Sequence, residues 1–179
     1  MTLLLNGTTG VSGVDGSAAT PAVQGTDTNT GLFFPAADTY AVATGGSERY
    51  RVDSSGNLNI ATSGVSAKLY VNGNAASSVS ALSYSATTTI DFSTANNFSI
   101  TLTGNVTFAN PSNALAGQTG SIFITQDGTG SRTASWGTNW DFISGTAPTL
   151  TTTASAVDRI DYIIRSSTSI QAVFTANYS

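Results

Sequence analysis

Alternation of period two is the strongest constraint on this chain. In Phe98-Ser99-Ile100-Thr101-Leu102-Thr103 every second residue is large and apolar, and the residues between are small and hydroxylated. Successive side chains of an extended strand leave by opposite faces, so Phe98, Ile100 and Leu102 point to one core and the hydroxyls point away. Gly104-Asn105 follows, and Val106-Thr107-Phe108 resumes the alternation. Glycine at the first central position predicts a two-residue type II′ hairpin there. A second pair runs from Arg159 to Arg165 and from Ser169 to Thr175, with Ile160, Tyr162 and Ile164 facing as Ile170, Ala172 and Phe174 do. Between these pairs lie Ser121–Thr125 and Arg132–Trp136, joined by a loop at 127–130 that holds two glycines. Helical periodicity is nearly absent. Residues from about 80 to 179 therefore read as seven or eight short strands, the pattern of an antiparallel, jelly-roll-like β-sandwich.

The first third has the same small-residue background but only brief apolar islands. Leu32-Phe33-Phe34 is one. Another is Glu48–Val52, followed by a turn at 54–57 and then Leu58 and Ile60, which predicts a small hairpin with Tyr50, Val52, Leu58 and Ile60 on one face. So sparse a pattern gives one chain little core, and no cysteine is present to staple it. An extended region intertwined with identical chains solves that problem by sharing apolar area between subunits. We therefore expect an all-β protein with an N-terminal anchoring or shaft region over 1–75 and a C-terminal sandwich over 76–179, with 72–80 as linker. No internal repeat of fixed period is evident.

Composition removes several functions. Charged residues make up 9% of the chain, against about 25% in ordinary domains. With 6 Lys+Arg, no basic cluster and a net charge of −4, a footprint for nucleic-acid phosphates is missing. Histidine and cysteine are both absent, which removes Ser-His-Asp and Cys-His nucleophile systems and imidazole or thiolate zinc sites. The apolar runs are too short to span a bilayer, and no secretory leader is apparent, so release by lysis fits a protein used outside the cell.

Two stretches resemble known proteins. Residues 25–39, Gly-Thr-Asp-Thr-Asn-Thr-Gly-Leu-Phe-Phe-Pro-Ala-Ala-Asp-Thr, and 45–57, which end in Asp53-Ser54-Ser55-Gly56-Asn57, are similar to segments recurring in phage tail-fibre and related virion proteins. Where many of those proteins continue towards a self-cleaving chaperone domain, Leu58-Asn59-Ile60-Ala61-Thr62 departs from their pattern, and the chain is too short to carry one. Residues 86–179 resemble a β-rich C-terminal domain of phage fibres. That likeness rests on the 97–108 segment, Gly117–Ile122, Gln126–Arg132, Trp136 and Gly145–Leu150. The resemblance implies a non-enzymatic virion structural protein: a homotrimeric tail fibre or tail-tip component, joined to other virion proteins through its N-terminal region and touching the host surface. A capsid head-fibre or decoration protein is the alternative, and a polysaccharide depolymerase a third.

A glycosidase needs only two carboxylates about 5–10 Å apart. Asp158 and Asp161 alternate across one strand and so face opposite sides, as solvated or turn aspartates would. Asp27-Thr28-Asn29-Thr30-Gly31 has some of the oxygen spacing of a calcium loop but lacks its later ligands, and turn formation accounts for it better. Gly128-Thr129-Gly130-Ser131 lacks the Lys and the following helix of a phosphate loop. The scattered arginines suit ion pairs, Arg159 and Arg165 sharing a strand face with Asp161. The remaining candidate is a glycan-binding group of Trp136, Asn139, Trp140 and Asp141, in which rings stack on sugars and the polar side chains bond hydroxyls. The competing expectation is that both tryptophans pack in the core or at a subunit interface. No cofactor or metal is expected. The partners expected are identical subunits, other virion proteins and a host-surface glycan, without nucleic acid or membrane insertion.

Overall fold

A computed structural model of the protein describes residues 4–6, 10–60 and 74–178, so the start of the 72–80 linker lies outside the described residues. The chain divides into two compact units, Met1–Asn74 and Ala75–Ser179. The described residues form strands and turns throughout, with one 3-10 turn at Ile143–Gly145 and no α-helix. The expected all-β class is the one found.

In the first unit, β1 (Leu4–Asn6) and β2 (Gly10–Ser12) pair antiparallel. Strands β3 (Val23–Gln24), β4 (Gly31–Ala36), β5 (Thr39–Thr44), β6 (Ser47–Val52) and β7 (Leu58–Ile60) form an antiparallel meander in chain order. The expected hairpin is β6–β7, with Tyr50 opposite Ile60 and Val52 opposite Leu58. Among the described residues the buried cluster is small, consisting of Phe33, Ala41 and Ala43 with Ala18 against them.

The β6–β7 turn is built on Asp53. Its carboxylate accepts from the backbone N–H groups of Ser55 and Asn57 (both 3.0 Å) and from the side-chain amide of Asn59 (2.9 Å). These donors favour the ionised form, the Asn59 amide most, and lower the Asp53 pKa to about 2. A carboxylate whose folded pKa lies below its unfolded value contributes stability above the unfolded value of about 4, and that contribution disappears as pH falls through the folded one. The Asn57 and Asn59 amides should accordingly lose hydrogen-exchange protection between about pH 4 and pH 2. Asp53→Asn should remove that pH dependence, and amide exchange measured across the range is the check.

The second unit holds nine strands. In one sheet β8 (Val79–Ala81), β10 (Asn97–Leu102) and β12 (Thr119–Gln126) lie side by side and parallel. In the other, β9 (Thr87–Thr88), β11 (Val106–Phe108) and β13 (Ala134–Trp136) do the same. The chain thus winds from one sheet to the other and back, and each circuit stacks on the previous one. β15 (Val157–Ser166) then pairs antiparallel with β12, β16 (Ser169–Thr175) antiparallel with β15, and β14 (Trp140–Phe142) parallel with β16 at the edge. The circuits differ in length, because Asn97 pairs with Val79 while Val106 pairs with Ala134. That inequality is why no fixed sequence period exists.

The expected β15–β16 hairpin forms, and its register sets Ile160 opposite Phe174 and Ile164 opposite Ile170. The hairpin expected at Gly104-Asn105 does not form; those residues are a corner between the sheets. Val106 N–H donates to Thr133 and Thr107 N–H to Ala86, so β11 spends its hydrogen bonds on β13 and β9 rather than β10. The Tyr84 hydroxyl closes the corner on the Asn105 carbonyl (2.9 Å), and a Cβ at Gly104 would stand 2.4 Å from that hydroxyl oxygen.

One core fills the space between the sheets. Phe98, Ile100, Leu102, Ile122, Ile124, Ile160, Ile164 and Ile170 come from one side and Val106 and Phe108 from the other, with Ile90 and Phe92 from the connection after β9. Gly120 on β12 is required by close approach. Its added Cβ would lie 1.6 Å from the Asn96 carbonyl oxygen, which already accepts the Tyr162 hydroxyl at 2.6 Å. Burial pushes the Tyr162 phenol well above its ordinary pKa.

Candidate functional site

The two tryptophans sit where the chain crosses from β13 to β14. Trp136 ends one strand, Trp140 begins the next, and a turn closes between them with Trp140 N–H donating to the Gly137 carbonyl (3.2 Å). Asn110 holds this turn from the preceding circuit. Its carbonyl oxygen accepts from Asn139 N–H (2.9 Å) and its amide donates to the Thr138 hydroxyl (3.2 Å). Only glycine fits at 137, where a Cβ would meet that same Asn110 oxygen at 2.4 Å.

Trp136 is half-buried. It stacks on Phe108 at 4.6 Å and meets Trp140 and Phe142 edge-on at 5.3 and 4.9 Å, the edge-to-face geometry that ring quadrupoles favour. Its indole N–H is buried and has no hydrogen-bond partner among the described residues. Trp140 is 6% exposed and donates its indole N–H to the Ala109 carbonyl (3.1 Å). Asp141 is exposed and accepts from the Ser169 hydroxyl (2.5 Å). Asn139 is tied in by its main chain, its carbonyl accepting from Ile170 N–H, and its side-chain amide is engaged by no described residue.

Trp136, Trp140, Asp141 and Phe142, with Gly145 and Ala147 opposite, line a cleft of about 510 Å³. Three of the four expected residues are thereby brought together, and Asn139 lies outside the lining. The Trp140 ring belongs to the core, so it can support a bound sugar only from beneath, through Trp136. A second, shallow hollow of about 500 Å³ lies over β14, β15 and β16, lined by Asp141, Ile143, Asp161, Ile163, Gln171 and Val173 among others. Asp141 and Phe142 line both hollows. Sequence reasoning missed this second hollow. Its signal was the Ile163-Ile164 doublet, which puts an apolar residue on each face of β15.

The acidic residues the sequence singled out are occupied structurally. Asp161 pairs with Arg159 (2.8 Å) and accepts from the Ser121 hydroxyl (2.6 Å). Asp141 and Asp161 are separated by two strand spacings and two residues of register, which strand geometry puts at about 12 Å between Cα atoms. Asp158 is not the solvated or turn aspartate that the sequence suggested. It is 1% exposed, and its two oxygens accept from Thr151 N–H (2.8 Å) and Asn177 N–H (2.9 Å). Asp27 spends its carboxylate on Asn29 N–H and the Thr30 hydroxyl, a local turn. In the 127–130 loop the amides of Thr129 and Gly130 point at the Asp127 carboxylate, which also pairs with Arg132 at 2.8 Å, so no anion-binding concavity is left. That pairing lowers the Asp127 pKa.

The first unit has a different surface feature. Residues opposite one another in an antiparallel sheet share a face. The register lines up Val23, Leu32, Val42, Tyr50 and Ile60 across all five strands, and Tyr40, Val52 and Leu58 in the next row. The small buried cluster lies on the other face, where Phe33 is opposite Ala41.

No curated protein and no solved structure matches the chain. A protein-family model does, over residues 40–165, a span that runs from β5 into β15 and covers well over half of the sequence. On that match the chain belongs to the family described as "Putative phage tail fibre C-terminal domain".

Proposed function

We propose that this chain is a non-enzymatic structural protein of the phage virion, a homotrimeric tail fibre or tail-tip component that contacts the host surface. The family match carries the reading. The small N-terminal core supports the trimer, and the N-terminal unit is the part we assign to neighbouring virion proteins. The prior engagement of the Asp141 and Asp161 carboxylates by Ser169, Arg159 and Ser121 supports adhesion rather than glycan cleavage. Gold-labelled antibody against this chain should decorate the tail of intact particles. Label confined to the capsid would overturn the tail assignment in favour of a head-fibre or decoration role. Release of reducing ends from host capsule or lipopolysaccharide would overturn the non-enzymatic reading.

Host contact is assigned to the cleft at Trp136. Trp136 gives the ring face and Asp141 an exposed acceptor, while Asn139, outside the lining, is left out of the contact. Trp136→Ala should weaken binding to host polysaccharide at least tenfold. Trp136 also packs on Phe108, so Asp141→Ala is the companion variant, with an expected loss of severalfold and an unchanged fold by circular dichroism. Unaltered binding by both, in a glycan-binding assay, would remove the cleft from the reading.

A further inference from the structure

The five-stranded sheet of the first unit is apolar on the face that the described residues leave open. Tyr40, Tyr50, Val23 and Leu58 on that face are 41%, 38%, 54% and 60% exposed. Among the described residues the opposite face buries only Phe33, Ala41 and Ala43. The larger apolar surface is thus the uncovered one, the reverse of an ordinary half-buried antiparallel sheet.

Charge is confined to the margin and the back. Arg49 stands at one end with its guanidinium held by the Thr44 hydroxyl (2.6 Å), and Glu48 and Arg51 pair with each other at 2.6 Å. Those are the features of an interface core with a polar rim. Rings of ~150–250 Å² and aliphatic chains at these exposures present ~300–400 Å² of apolar surface, approaching half of the ~800 Å² that one partner brings to a standard interface.

We propose that copies of this chain meet on this face, so that its occupant is a second copy. The proposal rests on the homotrimer reading above and assigns that trimer its contact. A unit with so small a core of its own needs the face covered whenever it is folded. The partner must then be present wherever the chain is, which another copy satisfies. A face without charge also offers nothing for a partner of complementary charge to read. Closed cyclic symmetry lets each copy cover its neighbour with no edge left over.

The absence of cysteine makes the test clean, since an introduced thiol is the only one in the chain. Full-length Leu58→Cys would be treated with a bis-maleimide and run on denaturing gels beside Leu115→Cys, a 72% exposed site on the second unit. Native mass spectrometry of the unmodified chain would give the assembly state. We expect a trimer by native mass spectrometry, with Leu58→Cys yielding a covalent dimer band and Leu115→Cys labelling without one. A monomer at micromolar concentration would overturn the homotrimer reading and this inference together. A trimer in which Leu58→Cys is alkylated freely but does not cross-link would overturn only the assignment of the face, as would equal cross-linking from both positions.

Discussion

Phe98→Ala should destabilise the C-terminal unit by about 3–5 kcal/mol, the largest single effect expected in this protein. The ring is fully buried, meets Phe92 edge-on at 5.8 Å, and stands opposite Ile122 from β10, which the six-stranded sheet holds between β12 and β8. Its removal takes away apolar transfer energy and leaves a cavity that flanking strands, locked by ladder hydrogen bonds, cannot collapse to fill. Domains of this size are typically stable by only about 5–15 kcal/mol, so a large share of the unit's stability would be lost. Both tryptophans lie in this unit, so their fluorescence during urea unfolding reads it without interference from the first. A midpoint that does not move would mean that Phe98 is not in the core. Phe98→Leu should recover much of the loss, because volume rather than aromaticity is what the site requires.

The second large effect is expected at Asp158. Here a polar group is buried within β15 and satisfies two backbone N–H groups from distant segments, Thr151 before the strand and Asn177 beyond β16. Asp158→Ala would leave both donors unpaired, at about 1–3 kcal/mol each, so a loss of about 2–6 kcal/mol is expected. Asp158→Asn should lose less, since its one carbonyl oxygen still accepts from one of the two. The discriminating measurement is hydrogen exchange. The Thr151 and Asn177 amides should lose protection well before the β15 ladder does. Equal loss everywhere would mean that Asp158 serves global stability alone and does not tether these segments.

The candidate site was legible in part. Trp136, Trp140 and Asp141 could be picked out as an aromatic and polar cluster on a short span, and they do line one cleft. Which ring faces solvent could not be read, because both lie beside small polar residues and strand alternation alone does not say which sheet each belongs to. The structure settles it through Asn110. By holding the 137–139 turn, it leaves Trp136 on the three-stranded sheet and carries Trp140 over to the six-stranded one. The hollow over Ile163 and Val173 was missed because it exists only when β14, β16 and β15 lie side by side.

Period-two alternation by itself determined the β class, the strands at 98–102, 106–108 and 122–125, and the 159–175 hairpin. It could do so because the side-chain period of a strand is a local property and a two-sided core demands it wherever the strand goes. The absence of histidine and cysteine likewise removed whole classes of chemistry before any fold was known. Strand partnership was decided only by the tertiary structure. Leu102 and Val106 face one core whether Gly104-Asn105 is a hairpin turn within a sheet or a corner between two, so the same pattern serves both. The choice fell to long-range hydrogen bonds, from Val106 to Thr133 and from Thr107 to Ala86, and to the Tyr84 hydroxyl that closes the corner. Those partners lie some twenty or more residues away, where no local pattern reaches.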